Sequence, residues 1–109
     1  MSELDKLEKY LREHNYDYER IEEPRSEVNL LGMAIDWSRH QIVVYKNFAY
    51  SWDAICQHGS YGFQEGLLEI SGSIVDPNKD GDVVVGWLTA EQVIERLEGK
   101  HEKHTERPQ

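Results

Sequence analysis

The sequence predicts a small single α+β domain in which an antiparallel sheet of three to four strands, centred on a hairpin, is packed by N- and C-terminal helices. Three observations predict it. A helical stripe with a capping box stands near each end of residues 1–99, and a β-branched and aromatic run broken by an asparagine turn fills residues 41–56. The third is size: 109 residues build one hydrophobic core and leave no room for a second domain.

At the N-terminus Leu4, Leu7, Leu11 and His14 recur at helical spacing, with charged residues on the other faces. Ser2 stands at the N-cap position, Asp5 three residues on closes a capping box, and Asn15 suits the left-handed residue that stops a helix. Residues 16–21 are aromatic and alternating, which predicts a short edge strand ended by Pro24. Residues 25–39 have no period and predict a loop. Because Leu30, Leu31, Met33, Ile35 and Trp37 are so apolar, that loop is expected to lie on the core.

Residues 41–46 and 48–56 form the expected hairpin, turning at Lys46-Asn47. In its second arm the pleat places Tyr50, Trp52, Ala54 and Cys56 on one face and Ser51, Asp53 and Ile55 on the other. Gly59, Gly62 and Gly66 mark a loop. Residues 62–71 are expected to be helical, against a competing reading in which Leu68, Ile70 and Ile74 alternate as in a strand. A polar turn over 76–82 and a short strand at Val83-Val84-Val85 follow. Thr89 and Gln92 then box the start of a last helix, whose apolar side is Leu88, Val93, Ile94 and Leu97 and whose end is Gly99. Residues 100–109 are a charged tail expected to be disordered.

Twelve Lys and Arg against 21 Asp and Glu give a net charge of −9 and a pI near 4.9, with the acidity mostly in 1–27 and 76–109. Such a field repels phosphate backbones and anionic membranes, so a direct nucleic-acid or membrane role is not expected. It suits a basic protein partner, or imitation of a polyanion in front of a nucleic-acid-binding protein. Cys56 is the one cysteine, so no intramolecular disulfide forms and a reducing cytoplasm is expected. Met1-Ser2-Glu3-Leu4-Asp5 has neither the basic nor the apolar region of an export signal, and no apolar run reaches the length of a membrane span.

The strongest local pattern is Asp76-Pro77-Asn78-Lys79-Asp80-Gly81-Asp82-Val83, which resembles the first eight positions of an EF-hand calcium loop. Oxygens of Asp76, Asn78, Asp80 and Asp82 would face the cation, and Gly81 would make the sharp turn. Position 12 is Trp87 where the bidentate glutamate belongs, so the expected alternative to a plain turn is weak calcium binding. Cys56 near His58, His40 and Asp53 has the residue types of a nucleophile, a base and an orienting group. Its place on the apolar face of the hairpin instead predicts a small structural hydrophobe. Asp53, Glu65 and Glu69 form no specific acid/base pattern, and Gly59-Ser60-Tyr61-Gly62 lacks the lysine of a phosphate cradle. His40, Cys56 and His58, like His101 and His104, lack zinc-ligand spacing, and no cofactor is expected.

The aromatic content is more informative. Trp37, Tyr45, Tyr50, Trp52 and Tyr61 gather on the hairpin and the segments flanking it, and aromatic side chains anchor protein interfaces. The run from Arg39-His40-Gln41 through Trp52-Asp53-Ala54-Ile55-Cys56 to Gly86-Trp87-Leu88-Thr89-Ala90 resembles short proteins of bacterial and phage mobile elements. That resemblance implies no activity. The sequence thus predicts a non-catalytic binding or modulating protein that meets another protein through an aromatic and acidic surface formed by those five residues.

Overall fold

The computed structural model describes residues 1–99; the tail expected to be disordered, 100–109, lies outside the described residues. Helix α1 spans Glu3–Glu13. Its capping box is present as expected: the Asp5 N–H donates to Ser2 Oγ at 3.0 Å, and the Ser2 N–H donates to Asp5 Oδ2 at 3.2 Å. Asn15 at φ +59° stops it. Leu4, Leu7 and Leu11 are buried, each contributing about 1.5–3 kcal/mol. Helix α3, Ala90–Leu97, carries the second box, between Thr89 and Gln92. The two helices are joined at their starts, where the Ala90 N–H donates to Glu3 Oε1 at 2.6 Å. A carboxylate from one helix therefore satisfies an open N–H of the other.

Both helices cover one face of a five-stranded antiparallel sheet, one or two strands larger than the sequence predicts. Its strands are β1 (Asp17–Glu23), β4 (Arg39–Lys46), β5 (Ala49–Ile55), β6 (Leu68–Gly72) and β7 (Val84–Leu88), in the order β1-β4-β5-β6-β7. The expected edge strand before Pro24 is β1, and its charged residues discourage edge-to-edge pairing. The central hairpin turns one residue later than expected, at Asn47 and Phe48, which both have positive φ as a tight two-residue turn demands. Ile42, Val44, Trp52, Ala54, Leu68 and Ile70 point at the helices and form the core with Leu7, Leu11 and Val93.

Two expectations are corrected. Residues 62–71 are not a helix: a single 3-10 turn at Phe63–Glu65 is followed by β6. Gly62 and Gly66, both left-handed at φ +97° and +73°, close off that turn on either side. Beyond them the two-residue period prevails, because Leu68 and Ile70 are buried while Glu69 and Ser71 stay half-exposed.

Residues 25–39 are not a loop on the core. They form a separate two-stranded arm, β2 (Ser26–Val28) paired with β3 (Ala34–Asp36), inserted between β1 and β4. Asn29 shapes its tip: its Oδ1 accepts from the N–H groups of Leu31 and Met33 at 2.9 and 3.0 Å. This local turn chemistry outweighs the burial that so apolar a segment suggests, and Val28, Leu30, Leu31 and Met33 stand exposed. Among the described residues no helix is long and apolar enough to cross a membrane.

Candidate functional site

The five aromatic residues expected at an interface part company in the structure. Trp52 is 2% exposed and belongs to the core, so it is withheld from any partner. Tyr45 is half-buried on the uncovered sheet face, where its hydroxyl donates to Glu19 Oε1 at 3.0 Å; that bond raises its pKa above the ordinary phenol value. Tyr50 is not on the face of Trp52, because the register slips between β4 and β5: Tyr45 pairs with Tyr50 but Val44 pairs with Trp52. Ser51 is the extra residue, and one extra residue reverses the pleat. Tyr50 thereby joins Asp53, to which its hydroxyl donates at 2.6 Å, and burial followed by this bond pushes its pKa up. Ser71 Oγ and Gln41 Nε2 donate to the same carboxylate at 2.7 and 3.0 Å, so Asp53 is a satisfied cross-strand lock.

Tyr50, Trp37 and Tyr61 all reach the surface, and the last two lead to two features that the sequence reading missed. The first is the arm, with Leu30 fully exposed and Leu31 82% exposed at its tip. The turn residues Asn29 and Gly32 enclosing a Leu pair were the available signal. Its base is held where the Trp37 N–H donates to the Arg25 carbonyl at 2.8 Å and the Arg25 N–H donates to Ser38 Oγ at 3.1 Å. From the base the aromatic contacts continue: Trp37 meets His58 edge-on at 4.3 Å between centroids, and His58 meets Phe63 at 6.0 Å.

The second feature is Trp87. Its ring stacks on Tyr61 at 5.2 Å and 18°, with both side chains about half exposed. Leu68 pairs with Leu88 while Ile70 pairs with Val85, so β7 bulges, and Trp87 there holds φ +56°, a region bulky residues seldom occupy. The 58–66 loop is pressed against this bulge. A Cβ on Gly86 would stand 2.2 Å from Tyr61 Cβ, one on Gly62 would stand 3.0 Å from the Trp87 backbone, and the Trp87 N–H donates to the Tyr61 carbonyl at 3.3 Å. Glu69 Oε1 accepts from the Tyr61 N–H at 2.9 Å. A recess of about 400 Å³, lined by His58, Gln64, Glu65 and the two rings, opens beside the stack. His58 also lines the recess at the base of the arm, beside Trp37, so the two recesses adjoin at this side chain.

The residues singled out for chemistry are arranged differently. Cys56 lies beside Glu3, Arg20 and His40 in a cavity of about 460 Å³, while Asp53 is on the opposite side of the sheet and His58 packs against Trp37. His40 Nδ1 is 2.6 Å from Glu22 Oε1, and among the described residues no hydrogen bond joins the thiol to an imidazole. Burial, then the nearby Glu3 charge, pushes the Cys56 thiol up, the reverse of what activates a nucleophile. In the calcium-like segment, Asp76 caps a one-turn helix α2, Pro77–Asp80, by accepting from the Asn78 N–H at 3.0 Å. Asp82 accepts from the Val83 N–H, and Asp80 is gripped in two places by the Arg96 guanidinium at 3.0 and 3.1 Å. The carboxylate at the loop's fifth position is thus engaged by a cation of the chain itself. Among the described residues no three His, Cys, Asp or Glu side chains group as metal ligands would.

Many acidic groups elsewhere are paired as well. Arg20 bridges Asp5, Glu8 and Glu22 at 2.7–3.1 Å, and Arg39 meets Glu23 at 3.1 Å. The chain matches no protein-family model, no curated protein and no solved structure.

Proposed function

We propose that the protein is a non-catalytic docking module that binds a partner protein through the β2–β3 arm and the aromatic surface at its base. One observation carries this reading: Val28, Leu30, Leu31 and Met33 project into solvent from a hairpin whose strands pair only with each other. Contiguous exposed apolar side chains of this kind mark interaction sites. Covering the four would contribute roughly 6–12 kcal/mol gross, at about 1.5–3 kcal/mol each. That is of the order needed to offset the cost of association, about 4–15 kcal/mol, once the aromatic base adds to it.

The charge of −9 favours a basic partner by steering its approach, and disfavours nucleic acid as the direct ligand. Docking is preferred to polyanion imitation, since Asp5 and Glu8 of α1 and Glu22 of β1 gather around Arg20 instead of joining an open row. It is preferred to cation binding, since Arg96 already holds Asp80. A reducing cytoplasm suits a chain with one free, half-buried thiol.

The reading is tested by placing a photo-cross-linking residue at position 31 and, as a control, at position 9 on the outward side of α1, in the native cytoplasm. Docking predicts a discrete heterologous adduct from position 31 only, abolished by Leu30→Asp with Met33→Asp in the same chain. Equal adducts from both positions, or an adduct that survives the double substitution, refutes it.

A further inference from the structure

We propose that the recess beside the Tyr61–Trp87 stack receives an arginine side chain presented by a basic segment of the partner protein. The proposal rests on the docking reading for the existence of a partner, and adds the chemistry by which that partner is recognised at a point away from the arm's tip.

The stack is built into the backbone. Trp87 is held at φ +56° by a bulge in β7, and residues so strained persist only where the surroundings over-determine them. Here the surroundings are Gly86, which has no room for a side chain against Tyr61, and Gly62, whose Cα lies against the Trp87 backbone. The result fixes two large rings face to face while leaving each about half exposed, with no aliphatic residue of the recess lining over them.

The electrostatics select the guest. His58, Gln64 and Glu65 are the polar side chains lining the recess apart from Ser60 and the Tyr61 hydroxyl, and neither lysine nor arginine lines it. Four other recesses among the described residues each carry one or more, Arg96, Arg39, Arg20 and Lys46 among them. A cation entering beside Tyr61 therefore meets π-faces and the Glu65 carboxylate without a competing positive charge. Of the two common cations, the guanidinium is planar, stacks on aromatic faces and presents a fork to a carboxylate, so arginine fits this geometry better than lysine.

The test titrates the full chain, at low ionic strength, with acetyl-Gly-Arg-Gly-Arg-Gly-amide and with the same peptide carrying citrulline or lysine at both arginine positions. Binding is followed by tryptophan fluorescence and amide shifts. The arginine peptide is expected to bind saturably, with shifts confined to residues 58–65 and 86–88. The citrulline peptide should bind on the order of tenfold more weakly, the worth of one partly desolvated cation–π contact, and the lysine peptide should fall between. Trp87→Gly, which removes the ring and accepts the positive φ, and Tyr61→Leu, which keeps the bulk, should each weaken arginine binding several-fold while retaining the dispersed spectrum of a folded chain.

Equal affinity for arginine and citrulline peptides, equal affinity for arginine and lysine peptides, or shifts spread over α1 and β1 overturns the assignment. So does arginine binding that survives both ring substitutions. Arm-dependent cross-linking with no peptide binding overturns this subsite alone. Peptide binding with cross-linking that ignores the arm substitutions overturns the arm reading alone.

Discussion

Replacing Gly86 with alanine isolates the contact that shapes the aromatic surface. Gly86 does not need a positive φ, so the new methyl acts by collision and not by backbone strain. The methyl would lie 2.2 Å from Tyr61 Cβ and 3.0 Å from the Tyr61 carbonyl oxygen, atoms fixed to the backbone of the 58–66 loop that cannot swing aside like a side-chain tip. Overpacking of this kind costs about 1–3 kcal/mol. Removing a glycine from the unfolded chain returns about 0.4–1 kcal/mol, so the net effect is a loss of up to about 2.6 kcal/mol. For a domain of this size that lowers Tm by about 4–8 °C per kcal/mol.

The assay is urea unfolding followed by far-UV circular dichroism, with near-UV circular dichroism to report the Tyr61–Trp87 stack. Gly86→Ala should lower the midpoint and weaken the aromatic signal. In a Tyr61→Gly background, where the colliding Cβ is absent, the same substitution should cost at least 1 kcal/mol less, a coupling of the size expected between residues in contact. A Gly86→Ala protein with unchanged midpoint and intact near-UV signal refutes the packing of the loop on β7, as does a cycle without coupling.

Four further outcomes follow from the geometry. Arg96→Met leaves Asp80 and the Ile74 carbonyl without their guanidinium in a largely covered setting, and should cost about 3 kcal/mol in urea unfolding, whereas Lys9→Met at the exposed Glu13 pair should cost less than about 0.5 kcal/mol. Glu3 is held below its ordinary value of 4.5, first by the Ala90 N–H and then by Lys6. Its contribution is full above that value and is lost as pH falls through the lower folded value, so Glu3→Ala should cost about 1 kcal/mol at pH 7 and nearly nothing at pH 2; an equal loss at both contradicts the bond. The Cys56 thiol, raised by burial and by Glu3, should be alkylated by iodoacetamide with a pH midpoint above that of a free thiol, and a midpoint below it would show that Arg20, which lines the same cavity, outweighs both. Leu30→Asp with Leu31→Asp should leave the urea midpoint within about 0.5 kcal/mol of the parent, because these side chains touch no core; a larger loss would show that the arm folds back onto the sheet.

What was legible in the sequence was local. Ser2 with Asp5 and Thr89 with Gln92 announce their helices within four residues, and the stripes Leu4-Leu7-Leu11 and Val93-Leu97 need only a period to be read. The central hairpin likewise follows from β-branched runs around Asn47. The misreadings depend on partners distant in sequence. Whether Tyr50 faces the core or solvent is decided by one extra residue, Ser51, and a bulge is a property of two strands together. Trp52 and Trp87 look alike in composition, yet one is core and the other is displayed by a left-handed bulge that depends on the loop at Tyr61. An apolar period records that side chains avoid water without saying what covers them. For Leu7 or Ile70 the cover is in the same chain, and core packing follows. For Leu30 and Leu31 the Asx turn at Asn29 holds the side chains out in solvent, so the same hydrophobic signal that builds the core elsewhere finds no cover here among the described residues.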